Sequence, residues 1–226
     1  MKNKYITFLS LVVALFYIAS CTVPQQPAVT PPKAEDKQPP PVPVPAPPVE
    51  QPQPMSEITA DVSDLLAKSK TRVQNIYYLY KGHETGDNFY AFYVKGAKIM
   101  YKPSLAIKSL DNPESYDSIF IDKTAQTSQS YCVHASCVYK GKKQDLNYED
   151  AYISTPFDWT SGLTSAKKVG EEVIDSRSTW KIETNKGFLW VDTFYGIPLQ
   201  AESNGNIYRF TKISVNSVQD SDVTHS

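Results

Sequence analysis

The sequence predicts a mainly β (α+β) domain over residues 55–226, an antiparallel sheet curled about an apolar interior. Three observations predict it. Short aromatic and β-branched segments recur between glycine, proline and asparagine punctuation from residue 76 to residue 215. Two stretches carry helix signals, one before these segments and a shorter one among them. Several of the strand segments are apolar on both faces, which a single sheet with one wet face does not allow.

Taken in order, residues 1–20 have the layout of an export signal. Lys2 and Lys4 give the positive start, residues 6–18 are almost wholly apolar, and Ala19-Ser20 supplies small residues before a cleavage point. As a helix this apolar run rises only about 20 Å, against a hydrocarbon core of roughly 30 Å, so it is too short for a comfortable membrane span. Ile18-Ala19-Ser20-Cys21 resembles the lipobox of prokaryotic lipoproteins, with Ile where Leu is commoner. That resemblance implies lipid on the Cys21 thiol and cleavage just before it; the other reading is an ordinary residue behind a signal of the non-lipoprotein type. The expectation is an extracytoplasmic protein, lipid-anchored to the cell membrane or an outer membrane.

Residues 21–54 read as the lipidated cysteine and a disordered tether. Thirteen of the 17 prolines fall between residues 22 and 54. Proline fixes φ and removes backbone donors, so the segment favours extended polyproline II over a packed fold. Its 33 residues, at about 3.1 Å each, span on the order of 100 Å.

The domain opens with an amphipathic helix. Ile58, Val62, Leu65, Leu66, Val73 and Ile76 recur at spacings of three and four, with Ser56 as the cap. Strands follow at 76–81, 89–95, 98–102, 116–122 and 127–132. A short helix is expected at 156–163, where Thr155 caps, Pro156 takes the first position and Asp158 completes the box. Closing strands are marked at 179–184, 187–193 and 206–215, with Asn204-Gly205 a strong hairpin signal. The whole suggests one long helix, one short helix and roughly eight to ten antiparallel strands.

In the strand at 89–95, Phe89, Ala91 and Tyr93 point one way and Tyr90, Phe92 and Val94 the other. In the strand at 187–193, Phe188 and Trp190 oppose Leu189 and Val191. Two arrangements satisfy the pattern. A curled sheet can enclose an interior larger than its own side chains fill, which would take an apolar ligand. Alternatively a closed barrel is packed solid, or the tyrosines present their hydroxyls to water.

The stretch Gly187-Phe-Leu-Trp190-Val-Asp192-Thr-Phe-Tyr-Gly196-Ile-Pro198-Leu199-Gln-Ala-Glu202, followed by Tyr208-Arg-Phe210-Thr-Lys-Ile213-Ser-Val215-Asn216, resembles the closing strands of the LolA/LolB-like superfamily of envelope lipoprotein carriers. The opening helix and the strand ending at Met100-Tyr101-Lys102-Pro103 fit the same plan, so the similarity covers most of residues 57–218. The resemblance implies a half-open, strongly curved antiparallel β-barrel with a helical lid over an apolar cavity that receives acyl chains. Phe89, Tyr93, Met100, Phe188, Trp190 and Phe210 are the cavity candidates. The lipobox departs from the soluble carriers and points to a tethered receptor or sensor. The segment 131–160 lies outside the family's motifs, and no arginine is matched to the residue that latches the family's lid.

Composition excludes other classes. Lys and Arg number 23 against 24 Asp and Glu, with no basic stripe in the folded part, so nucleic acid is not expected as a partner. Cys132 and Cys137 remain after Cys21, and in an exported chain two such cysteines default to a disulfide. Cys132-Val-His134-Ala-Ser-Cys137 also offers zinc-type ligands, but a structural site wants four and no second pair is present in the sequence. No nucleophile elbow, His-Glu-x-x-His or phosphate-cradling loop occurs, so neither an enzyme, a resident metal nor a cofactor is expected. The sequence thus leads to a membrane-tethered cell-envelope lipoprotein that binds a lipid, acyl chain or lipoprotein, or else to an interaction lipoprotein with a solid core.

Overall fold

The computed structural model describes residues 57–225. The export segment, Cys21 and the proline-rich stretch fall outside the described residues, as does the Ser56 cap. The elements run α1 (Ala60–Arg72), β1 (Asn75–Lys81), a 3₁₀ turn (His83–Thr85), β2 (Tyr90–Lys95), β3 (Lys98–Lys102), β4 (Ser118–Asp122), β5 (Thr127–Tyr131) and β6 (Gln144–Leu146). They continue with α2 (Tyr148–Ala151), α3 (Pro156–Thr160), β7 (Ala166–Ile174), β8 (Arg177–Thr184), β9 (Gly187–Asp192), β10 (Pro198–Ser203), β11 (Asn206–Val215) and α4 (Asp220–Val223).

The strands form one 11-stranded sheet in the order β6-β5-β4-β3-β2-β1-β11-β10-β9-β8-β7. Each neighbouring pair is consecutive in sequence except β1 and β11, which join two meanders into one sheet through the pairs Ile76–Val215 to Lys81–Arg209. Every pairing is antiparallel. The sheet is open: its edges are β6 and β7, and the chain between them, residues 147–165, carries α2 and α3 from one edge to the other.

Two lysines show how far the sheet curls. Lys123, in the β4–β5 turn, puts Nζ 2.6 Å from the Asp158 carboxylate, and Lys186, in the β8–β9 turn, puts Nζ 3.1 Å from the Asp158 carbonyl. Six strand spacings separate β4 from β9, roughly 29 Å in a flat sheet at about 4.8 Å each. Two lysine side chains meeting on one residue span no more than about 20 Å, so the sheet wraps around α3. The expected curved, half-open sheet is present, without closure into a barrel.

α1 begins later than its apolar spacing suggests. Ile58 leaves the helix to form a parallel bridge with Ala166, and the Thr59 amide donates to the Ala166 carbonyl (3.0 Å), which covers part of the β7 edge. Ile76 belongs to β1. Val62 and Leu65 are the helix's buried positions and pack into the same core as the sheet. Gly196 lets the β9–β10 loop meet this helix. Its φ is +71°, and a Cβ there would stand 2.2 Å from the Leu65 carbonyl oxygen.

β6, β7 and β10 escape the sequence pattern. β6 has only three residues. β7 is an edge strand, with Lys167, Lys168, Glu171 and Glu172 and a register shift beside Gly170. β10 opens on Pro198, the one strand position that tolerates a missing amide most easily. The Asn204-Gly205 hairpin forms as expected, with φ of +52° and +77°.

Candidate functional site

The inner face of the sheet, which carries α1 to α3, is filled by aromatic rings. Tyr78, Tyr80, Phe92 and Phe210 are buried, with Tyr78 stacked on Phe92 at 5.2 Å, Phe92 on Tyr101 at 4.8 Å, and Phe210 against Tyr78 and Tyr80 at 5.5 and 5.7 Å. Burial pushes the Tyr78, Tyr80 and Tyr101 phenols well above the ordinary range, Tyr80 further through its hydrogen bond to Glu84. Beside these rings, residues 147–165 are strapped across the mouth of the sheet. The Tyr101 hydroxyl donates to the Ala151 carbonyl (2.9 Å). Asp158 accepts from Lys123 (2.6 Å), the Tyr152 hydroxyl (2.6 Å), and the amide and hydroxyl of Thr155 (2.7 and 2.6 Å). Burial raises the Asp158 carboxyl, but these donors outweigh it and hold the group below its usual value.

The six cavity candidates do not converge. Phe210 alone lies on the inner face. Tyr93 pairs with Tyr77 and Met100 on the outer face, and Phe188 and Trp190 flank the inward Leu189. Phe89 stands outside as well, under the Lys81 ammonium. Outer-face apolar side chains find other cover. Met100 is buried where α4 packs on β2 and β3. Lys181 lies over Trp190 at 4.7 Å and Phe188 at 5.0 Å, and Trp190 is only 4% exposed. His225 stacks on Tyr131 at 3.7 Å. Most of the apolar residues on the two faces are therefore met by packing inside and by the C-terminal segment and lysines outside, while Phe89 and Ile207 stay partly exposed.

An apolar opening lies elsewhere, between loops 103–117 and 132–143. It is a groove of about 530 Å³ lined by Lys102, Pro103, Leu105, Leu110, Val133 and His134 among others. Leu105 is 71% exposed, and Val138 and Tyr139, further along the second loop, are exposed too. The walls are fixed by covalent and polar ties. Cys132 and Cys137 are joined as a disulfide, as the sequence leads one to expect. The Asp117 carboxylate accepts the Val133 and His134 amides (3.0 and 2.8 Å), and the Val138 amide donates to the Leu110 carbonyl (3.3 Å). Asp117 lies close enough to both sulfurs to complete a three-ligand cluster, but each sulfur is bonded to the other and offers no thiolate. Leu105, Ile107 and Leu110 were the available sequence signal: three large aliphatic residues in a loop outside any strand pattern.

No family model and no curated protein matches the chain. Solved structures show partial likenesses. A Pseudomonas aeruginosa MucA/MucB complex gives 13% identity and a TM-score of 0.40 over 74% of this chain, which spans 62% of that chain. LprF from Mycobacterium bovis gives 9% and 0.42 over 75% of this chain and 98% of its own. A DUF1329 family protein from Desulfovibrio piger gives 12% and 0.30, with the same coverage. Overlaps of this extent do not establish a common fold, and the functional reading rests on the chain's own geometry.

Proposed function

We propose that the protein is a membrane-tethered cell-envelope lipoprotein, not an enzyme, that binds an acyl chain or similar apolar ligand. The site is the groove between loops 103–117 and 132–143. One observation carries this reading: an apolar groove, of a volume within the usual range for small-ligand sites, stands preformed in loops held by a disulfide and a shared carboxylate. Leu105 offers apolar surface there at little cost in reorganisation. Lys102 and His134 at the rim suit a polar or anionic headgroup. The filled inner face moves the ligand from the interior, where the family resemblance puts it, to this groove.

The test is titration of the purified protein with a fluorescent fatty acid, alongside native mass spectrometry without detergent. Saturable binding weakened at least tenfold by Leu105→Asp, with Phe188→Ala binding as wild type, supports the reading. A protein that carries no lipid and binds no probe refutes it. The exposed Val138 and Tyr139 beside the groove favour a second reading, a protein partner. A photo-crosslinker at position 105 that captures a polypeptide and no lipid would select it.

A further inference from the structure

At the end of the sheet where β1 leads into the 3₁₀ turn, two cations face each other. Lys81 and Arg209 are direct cross-strand partners on the outer face. Like charges so placed repel, and a sheet normally avoids them or sets an acid between. No acid is there. Among the described residues Arg209 makes no ion pair; its other neighbour is Gln200, and Glu202 stands opposite Ile207. Lys81 has only the fully exposed Asp87, 3.8 Å away. Glu84 accepts from the Tyr80 hydroxyl at 2.6 Å and lies 3.5 Å from His83 Nδ1, so it faces His83 and not the Lys81–Arg209 pair. Lys81, His83 and Arg209 line one pocket of about 340 Å³ with Gly82, Gly205 and Asn206. Two apolar side chains stand at this end, Ile207 in the pocket wall and 46% exposed, and Phe89 beneath Lys81, 40% exposed.

We infer that this pocket is an anion site for a phosphoryl group, gripped between Lys81 and Arg209. An oxyanion there converts a repulsive pair into two charge-assisted contacts, and a guanidinium matches phosphoryl oxygens two at a time. Free phosphate and a phospholipid headgroup share this chemistry. The flanking Ile207 and Phe89 would add contact only for the lipid. The site is separate from the apolar groove, and neither needs the other.

The experiment is thermal melting of the purified protein with inorganic phosphate, with dihexanoyl phosphatidic acid below its micelle concentration, and with chloride at matched ionic strength. A saturable rise in Tm with at least one phosphoryl probe, absent with chloride, is expected. Arg209→Gln and Lys81→Gln should each weaken that binding at least tenfold. Arg209→Gln should melt no lower than wild type without ligand, because it relieves repulsion. A rise with phosphate assigns the phosphoryl group alone as sufficient; a rise with the lipid only assigns the headgroup with its glycerol end. No rise with either probe, or binding that survives both substitutions, overturns the site.

Discussion

Replacing Asp158 by alanine should release the strap that closes the mouth of the sheet. The carboxylate accepts four hydrogen bonds, from Lys123, Tyr152 and twice from Thr155. Loss of the helix cap costs about 1 kcal/mol. The Tyr152 hydroxyl, left half-buried and unpaired, costs about another. The Lys123 pair is discounted to about 1 kcal/mol, since the two side chains are still 34% and 24% exposed. The variant should therefore lose about 3 kcal/mol in urea unfolding followed by tryptophan fluorescence, or roughly 6–12 °C in Tm for a domain of this size. Acid supplies an independent check. The Asp158 carboxyl is held below its usual value, so its stabilisation is fully present above the unfolded value of about 4 and fades as pH falls through the lower folded one. The gap between wild type and Asp158→Asn should narrow below about pH 4. A loss under 1 kcal/mol at neutral pH, or a gap indifferent to acid, would show that the strap is held by something else.

Phe210→Ala should cost about 4 kcal/mol, because it empties the space between Tyr78 and Tyr80, whereas Tyr78→Phe should change stability by less than about 0.5 kcal/mol. The contrast follows from the Tyr78 hydroxyl having no hydrogen-bond partner among the described residues, and equilibrium unfolding of the two variants measures it. Removing the Cys132–Cys137 disulfide by double serine substitution should cost about 2 kcal/mol, the value for so short a loop, and should weaken the fatty-acid probe through the groove wall. Ultraviolet titration should find Tyr78, Tyr80 and Tyr101 silent until the protein unfolds. Their phenols ionise more readily in the unfolded chain, so stability is intact below about pH 10 and falls as pH rises beyond it.

β1 to β3 and β9 were legible from aromatic and aliphatic residues on both faces, whereas β4, β5, β8 and β11, which carry polar residues, were legible from the turn residues that bound them. β7 was not: an edge strand wet on one side and charged on purpose against edge pairing looks like a loop. The capping residues of α3 were read correctly from Thr155, Pro156 and Asp158, although the partners Lys123, Tyr152 and Lys186 come from distant turns and leave no local trace. The disulfide followed from spacing and context alone. The groove did not, since Leu105, Val133 and Asp117 meet only when two loops fold over one end of the sheet. Nor could the inward face be chosen among strands apolar on both sides; register decides it, and register is a property of pairs.

The place of β11 has a consequence for how the molecule is made. The strand nearest the C-terminus sits at the centre of the sheet, zipped to β1 across more than 120 intervening residues. Until it is synthesised, the first six strands have one flank open and Tyr78 and Tyr80 lack the ring that wedges between them. Such distant closure is slow to find. A chaperone that shields the nascent β1 flank would act on the one seam that everything synthesised earlier must wait for.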